Sequence, residues 1–339
     1  VTRRLAAPGV LLAATIAALA FAGGLSDYSL DLGVTLLAYL TIAVAWNILG
    51  GYGGQISLGS AAFVGTGGYT SGLLLLHTGL SWPLTLVAAA VVSGALAVVL
   101  SFALLRLRGD YFAVGSLAAA IALQAFVLNW SWAGGATGIV LPLNIPLGID
   151  LFRVAVVVAA LSLACGLYVS RSRFGLRLTA VRDNEPAASG LGVSVYRHRL
   201  GALVLASVLT GLAGAVIAFQ STAISPDGMF GLVWSLNALL MTIVGGAGTF
   251  AGPIIGVIVV YYGLTKQFES TQTLSTVIEG ALIIIVVRFA PGGIWPLLAR
   301  LASRAGALRT RGASGGRPDG PSGSASPPER PAADELPVV

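Results

Sequence analysis

The chain has 339 residues, of which 56% are hydrophobic and 9% are charged, against about 25% charged in an ordinary soluble domain. Its 19 basic and 13 acidic residues are too few to cover a soluble surface, and the mean hydropathy is +0.90. These figures exclude a soluble enzyme, a disordered protein and a nucleic-acid binder. What they leave is an all-α, polytopic transmembrane helical bundle. The 45 glycines, roughly twice the usual share, predict helices that approach each other closely.

A helix crosses the hydrocarbon layer in about 20 residues. Apolar runs between polar breaks give ten predicted spans, at 6–26, 32–50, 56–77, 83–105, 111–131, 151–170, 200–220, 232–247, 251–266 and 273–290. The third is rich in glycine, and the eighth and ninth are short, which predicts broken or re-entrant backbone there. Such backbone is tolerated only when buried in protein or lining a cavity. Residues 1–301 form the predicted membrane domain. From 302 to 339 the composition turns to Gly, Ser, Pro, Ala and Arg, and this stretch is read as a disordered cytoplasmic tail.

Ten spans put both termini on one side. Arg3 and Arg4, Arg106 and Arg108, the arginines of the 171–199 loop and all those from Arg288 onward fall on that same side. Only Arg153 and Lys266 fall opposite. By the positive-inside rule the arginine-rich side is cytoplasmic. A cleavable signal peptide is the rival reading of the first span, since Arg3-Arg4, an apolar run and Ala20-Phe21-Ala22 share that pattern. Cleavage would leave the remaining topology unchanged.

Several chemistries are missing. Cys165 is the single cysteine, and His77 and His198 stand far apart, so no metal site is expected. The only lysine, Lys266, lies outside any phosphate-binding Gly-rich loop. Gln55-Ile56-Ser57-Leu58-Gly59 is close to a nucleophile elbow, but Gln55 stands where its first glycine is required. No catalytic residue is assigned, and the chain is not expected to be an enzyme. Glu279 is the one acidic residue well inside a predicted span. It is read as a satisfied contact between helices, as the mark of a shifted span boundary, or as a carboxylate of an ion-coupled carrier. A bundle this poor in charge carries no visible energy source of its own.

The 171–199 loop is the one substantial cytoplasmic loop between predicted spans. Asp183, Asn184 or Glu185 can cap a helix there, and Pro186 suits its first turn. Ala187 and Ala188 extend it, and Gly190 or Gly192 ends it. A short helix with a small-residue face fits a cleft on another protein. An ordinary solvated loop, with its basic flanks near anionic membrane lipid, fits the same residues.

Four segments carry a family resemblance. They are GGYGGQISLGSAAF at 50–63, LRLRGDYFA at 105–113, Ser172 to Gly192, and Ile224-Ser225-Pro226 through Asn237 to Gly252-Pro253. Ala290-Pro291-Gly292-Gly293 closes the match. Together they resemble the LivM-type permease subunits of bacterial ABC importers for branched-chain amino acids. Ser60 stands where that family commonly has histidine, and Pro186 where a residue with a backbone donor is usual.

The resemblance implies an ABC importer permease fold in the bacterial inner membrane. It implies a heterodimer with a LivH-like permease, two ATP-binding subunits below, and a periplasmic or lipoprotein substrate-binding protein above. ATP and Mg would be used by those partners, and this chain would bind no cofactor. It further implies that Arg182, Asp183, Asn184, Glu185, Ala187, Ala188, Gly190 and Gly192 form the ATPase-coupling loop. The translocation pathway is expected to involve Gln55, Ser57, Gly59, Ser60, Asn237, Gly245 and Gly246. The alternative for Gln55, Ser57 and Asn237, as for Asn129, is a role in joining helices, and for Gly245 and Gly246 it is close packing alone. The same architecture could import urea or short-chain amides, and an ion-coupled secondary carrier is the reading of a different class.

Overall fold

The computed structural model describes residues 2–142, 145–265 and 293–295. The chain opens with α1 (Thr2–Phe21) and α2 (Asp27–Trp46), the latter started by the Ser26 cap with Asp27 in its first turn. At Asn47–Tyr52 the helix widens into π geometry. Residues 53–59 are not helical, and α3 (Ser60–Thr78) begins only beyond them. α4 (Trp82–Leu104) has Pro83 in its first turn, and α5 (Asp110–Leu128) follows a left-handed Gly109. A two-residue strand β1 (Ile139–Val140) precedes α6 (Ile149–Arg171).

Two short helices follow, α7 (Arg173–Asp183) and α8 (Glu185–Gly190), and then the long α9 (Val195–Ser221). Strand β2 (Ala223–Ile224) pairs antiparallel with β1, matching Ile139 to Ile224 and Val140 to Ala223. The chain continues through α10 (Pro226–Met229), α11 (Leu232–Gly245) and α12 (Gly252–Val257), which passes into a second π segment, Ile258–Thr265.

Among the described residues, six helical stretches are long and apolar enough to cross a membrane: Asp27–Tyr52, Trp82–Leu104, Asp110–Leu128, Ile149–Arg171, Val195–Ser221 and Pro226–Gly245. They coincide with six of the predicted spans. The predicted span at 56–77 is shortened at its start, because Gly53 to Gly59 form the break rather than the first turns of a helix. The predicted span at 251–266 is α12 with its π extension. The span at 273–290, with Glu279 and Arg288, lies outside the described residues, as do Lys266 and the tail from 302.

Glycines decide how close the helices come. A β-carbon at Gly67 would run into the backbone of Gly211, and one at Gly214 into the backbone of Val64, so α3 and α9 cross with their backbones in contact. The hairpin of α11 and α12 closes in the same way, with Gly245 against Gly252 and Gly256 against Met241. The most enclosed of the six long helices is α9, with 83% of its apolar window buried, whereas α4 and α5 reach only 28% and 22%. Those two helices therefore turn most of their apolar surface outward.

The contacts sort the connections onto two ends of the bundle. Arg182 meets Gly51, and Arg108 meets Glu185, so the turns after α2 and α4 lie with α7 and α8. The β1–β2 pair and the stacked His77 and Trp132 gather other connections at the opposite end. Most arginines with described positions lie in the connections of the α7–α8 end or at the helix ends flanking them, and Arg153 lies near the start of α6, away from them.

Candidate functional site

Two features stand out, the α7–α8 unit and the break before α3. The first is built from caps. The Ser172 hydroxyl accepts the Gly175 N–H at 3.2 Å and starts α7. Gly175 packs directly on the Val169 carbonyl, which lets the chain turn sharply out of α6. The Asn184 side chain accepts the Ala187 N–H at 3.0 Å and starts α8, with Pro186 in the first turn. Of the three candidate caps, the structure selects Asn184. The helix ends at Gly190, and Gly192 follows with a left-handed φ of 82°.

The two faces of α8 differ. Ala188 is 3% exposed and faces inward, together with Leu178 and Val181 of α7. An outward contact through Ala188 is therefore blocked by the chain's own packing. The outward face is Pro186, Ala187, Ser189, Gly190, Leu191 and Gly192. Leu191, which lies in the Ser172 to Gly192 segment of the family resemblance, is 85% exposed at the tip.

Charge fixes the unit to the bundle. Glu185 accepts from Arg199 Nη2 of α9 at 2.9 Å and faces Arg108 Nη2 at 3.9 Å. Arg199 is 16% exposed and Glu185 31%, so this pair is partly withdrawn from water. Arg182 turns toward the bundle. Its Nη1 donates to the Gly51 carbonyl at 2.8 Å, and its Nε donates to Asp183 Oδ1 at 2.8 Å. Arg108 and Arg199 were legible only as topology markers, because nothing in one sequence ties them to Glu185.

The second feature is the non-helical stretch 53–59. Buried backbone without helical bonds must find other partners. Side chains from three other helices supply them. Trp46 Nε1 donates to the Ser57 carbonyl at 2.8 Å, Ser116 Oγ accepts the Leu58 N–H at 3.0 Å, and Ser235 Oγ accepts the Ala61 N–H at 2.9 Å. Ser57 Oγ accepts the Gly59 N–H at 3.1 Å. Gly59 is packed against Ser116, and Ser60 is buried as the first residue of α3. Gln55 is 6% exposed, and its Oε1 has no hydrogen-bond partner among the described residues.

The remaining pathway candidates are engaged between helices. Asn237 is buried and its Nδ2 donates to the Tyr39 hydroxyl at 3.3 Å. Gly245 lies against Gly252, and Gly246 has a φ of 123° and lies against Gly293. Asn129 bonds its own helix through Ala125. The turn after Gly246 joins the break after α2, because the Asn47 side chain accepts from Gly248 N–H at 2.7 Å and donates to the Thr249 carbonyl at 2.8 Å. The structure thus links Gln55 and Ser57 with the 246–249 turn through Asn47 and Gly51, and leaves Asn237 in a helix contact.

Comparison with known proteins adds independent findings. The profile of the family described as "Branched-chain amino acid transport system / permease component" matches residues 29–287. The chain is 27% identical over 320 residues to the high-affinity branched-chain amino acid transport system permease protein LivM of Salmonella typhimurium, covering 85% of this chain and 74% of that one. Against the LivM protein of Escherichia coli it is 26% identical, with the same coverage. A probable branched-chain amino acid transport permease protein LivH of Methanocaldococcus jannaschii is 27% identical over 165 residues, 45% of this chain and 51% of that one. No solved structure matches.

Proposed function

This chain belongs to the branched-chain amino acid transport system permease family, and from that premise we propose that it is the LivM-type subunit of an ATP-driven importer of branched-chain, hydrophobic amino acids. It works as a heterodimer with a LivH-like permease. Two ATP-binding subunits dock on the α8 face and use ATP and Mg, and a substrate-binding protein delivers cargo at the opposite end. The membrane is the bacterial inner membrane. The α7–α8 end is cytoplasmic, because the arginines concentrated there favour that side.

The observation that carries this reading is the construction of α8. A free surface loop has no reason to be capped, closed and ion-paired to a transmembrane helix while presenting a small, apolar outward face. A lever needs both properties: a rigid attachment to the bundle and a surface for the part that moves it. The attachment is Glu185 to Arg199, and the surface is Pro186, Ala187 and Ser189 to Leu191. Closure of the ATPase pair pushes on this surface and alternates access through the bundle. The Gln55–Ser60 break contributes to the pathway, where the buried Gln55 side-chain carbonyl is an acceptor that a zwitterionic amino acid can use. A hydrophobic cargo needs such isolated polar groups between apolar walls, not a charged pore.

The test is reconstitution of the complete complex in proteoliposomes. Uptake of labelled leucine, isoleucine or valine should require ATP inside and the binding protein outside. Uptake without ATPase subunits would refute the proposal and favour an ion-coupled carrier. Competition by urea or short amides, with none by leucine, would move the cargo assignment while keeping the architecture.

A further inference from the structure

Coupling requires a route from α8 to the part of the bundle that opens, and the covalent route is indirect. Asn184 to Gly192 connect to the membrane only through α7 and the start of α9. Among the described residues of the unit, the side chain that reaches both breaks in the bundle is Arg182. Its Nη1 holds the Gly51 carbonyl at 2.8 Å, at the end of the π segment that leads into Gln55 and Ser57. Its aliphatic stem lies so close over Gly54 that a β-carbon there would collide with it. A β-carbon on Gly248 would stand 3.0 Å from Nη1, so the guanidinium also borders the turn between α11 and α12.

Three glycines therefore surround one arginine, and two of them, Gly54 and Gly248, have φ of 68° and 76°. Asn47 ties the same two backbones together one turn above, through Gly248 and Thr249. Meanwhile Nε keeps Arg182 on Asp183, the residue next to the α8 cap. A planar guanidinium can hold two acceptors in fixed directions at once, and a lysine ammonium on a flexible stem cannot.

We infer that Arg182 is the transmission residue of the importer: not an ATPase contact, but the tether that converts displacement of α8 into displacement of the Gly51–Gly54 and Gly246–Thr249 breaks together. The inference rests on the ATP-driven reading above. When α8 is pushed, Asp183 and Arg182 move with it, and Gly51 must follow or release the guanidinium. Arg182 is a positioning residue, since it acts through these backbones and touches no cargo.

The experiment uses the full complex in proteoliposomes, with wild type, Arg182→Ala, Arg182→Lys and Gly54→Ala compared. Gly54→Ala lies outside α7 and α8; it crowds the arginine stem and also strains the break backbone, because Gly54 has a φ of 68°. The readouts are the ratio of ATPase subunits that co-purify and the ATP hydrolysed per amino acid imported. All three variants should retain the ATPase subunits at the wild-type ratio, with ATP consumed per import raised at least tenfold. A wild-type coupling ratio in Arg182→Lys would overturn the assignment, because charge alone would then suffice. Loss of the ATPase subunits from Arg182→Ala would also overturn it, by making the residue a docking contact. If Arg182→Ala does not fold, Gly54→Ala decides, and normal coupling in that variant overturns the assignment. Absence of ATP-dependent uptake in the wild type defeats the functional reading itself, which separates the two failures.

Discussion

Replacing Glu185 by alanine tests whether α8 is clamped or only lies nearby. The change removes the acceptor of Arg199 Nη2 at 2.9 Å and the carboxylate facing Arg108 at 3.9 Å. Fully exposed ion pairs contribute about 0–1 kcal/mol, and breaking a fully buried one costs about 3–5 kcal/mol. With Arg199 16% exposed and Glu185 31%, the loss falls between, at about 1.5–2 kcal/mol. At about 1.4 kcal/mol per tenfold, the detached form of α8 should become roughly 10–30 times more populated. Hydrogen exchange of the complex in lipid nanodiscs reads this directly. The amides of Ala188, Leu191 and Val193 bond within this unit to Asn184, Ala187 and Ala188. They should lose protection by that factor, while the amides in the buried centre of α9, such as Ala213 and Ala215, stay unchanged. A loss below about threefold at those three amides would show that the ion pair does not hold the helix, and α8 would then lack the fixed arm that a lever needs.

Three further outcomes are expected. Leu191→Glu, at an 85% exposed position, should leave insertion and the melting temperature unaltered. It should cut recovery of ATPase subunits at least tenfold, as loss of a central apolar anchor worth about 2 kcal/mol would; normal recovery places the docking face elsewhere. Gly67→Val should lower the melting temperature in detergent, because overpacking a tight crossing costs about 1–3 kcal/mol. Gly23→Ala, with no atom within 4 Å of the added carbon, should not, and equal stability of the two would contradict the backbone contact of α3 with α9. Gln55→Leu should spare stability, since its Oε1 has no partner among the described residues, yet reduce uptake about tenfold or more. Asn237→Leu removes a contact worth roughly 0.6 kcal/mol and should keep uptake within about threefold, so the opposite ranking would make Asn237 the pathway residue.

How much of this was legible in the sequence follows from which forces are local. Apolar runs report burial residue by residue, so the six long apolar stretches between Asp27 and Gly245 sit where hydropathy put them. Caps are local too, and Asn184-Glu185-Pro186 announced α8 within a residue. The start of α3 was misplaced because Ile56 and Leu58 read as apolar, while the four glycines before them withhold the side chains that would favour a helix. What decided the outcome was Trp46, Ser116 and Ser235, whose hydrogen bonds replace the helical ones from up to 174 residues away. The inward turn of Ala188 and the pairing of Arg199 with Glu185 were invisible for the same reason. A two-turn helix has no periodicity long enough to show its buried face, and one sequence carries no signal for a contact between distant charges.

The polar groups also determine where this bundle can move. Unbonded backbone in a membrane interior costs several kcal/mol per group, so a break persists only where other side chains complete it. The break at 53–59 is completed by Trp46, Ser57, Ser116 and Ser235, and the turn at 246–249 by Asn47. Any motion that separates these partners meets that cost, whereas a motion that carries them together does not. Trp46 closes α2 and Asn47 follows it directly, and Arg182 grips the carbonyl of Gly51 a few residues on. Among the described residues, 46–51 therefore bond to both breaks, while the Leu58 and Ala61 N–H groups are held by Ser116 of α5 and Ser235 of α11. Gln55 lies just beyond, with a buried acceptor that no described residue engages.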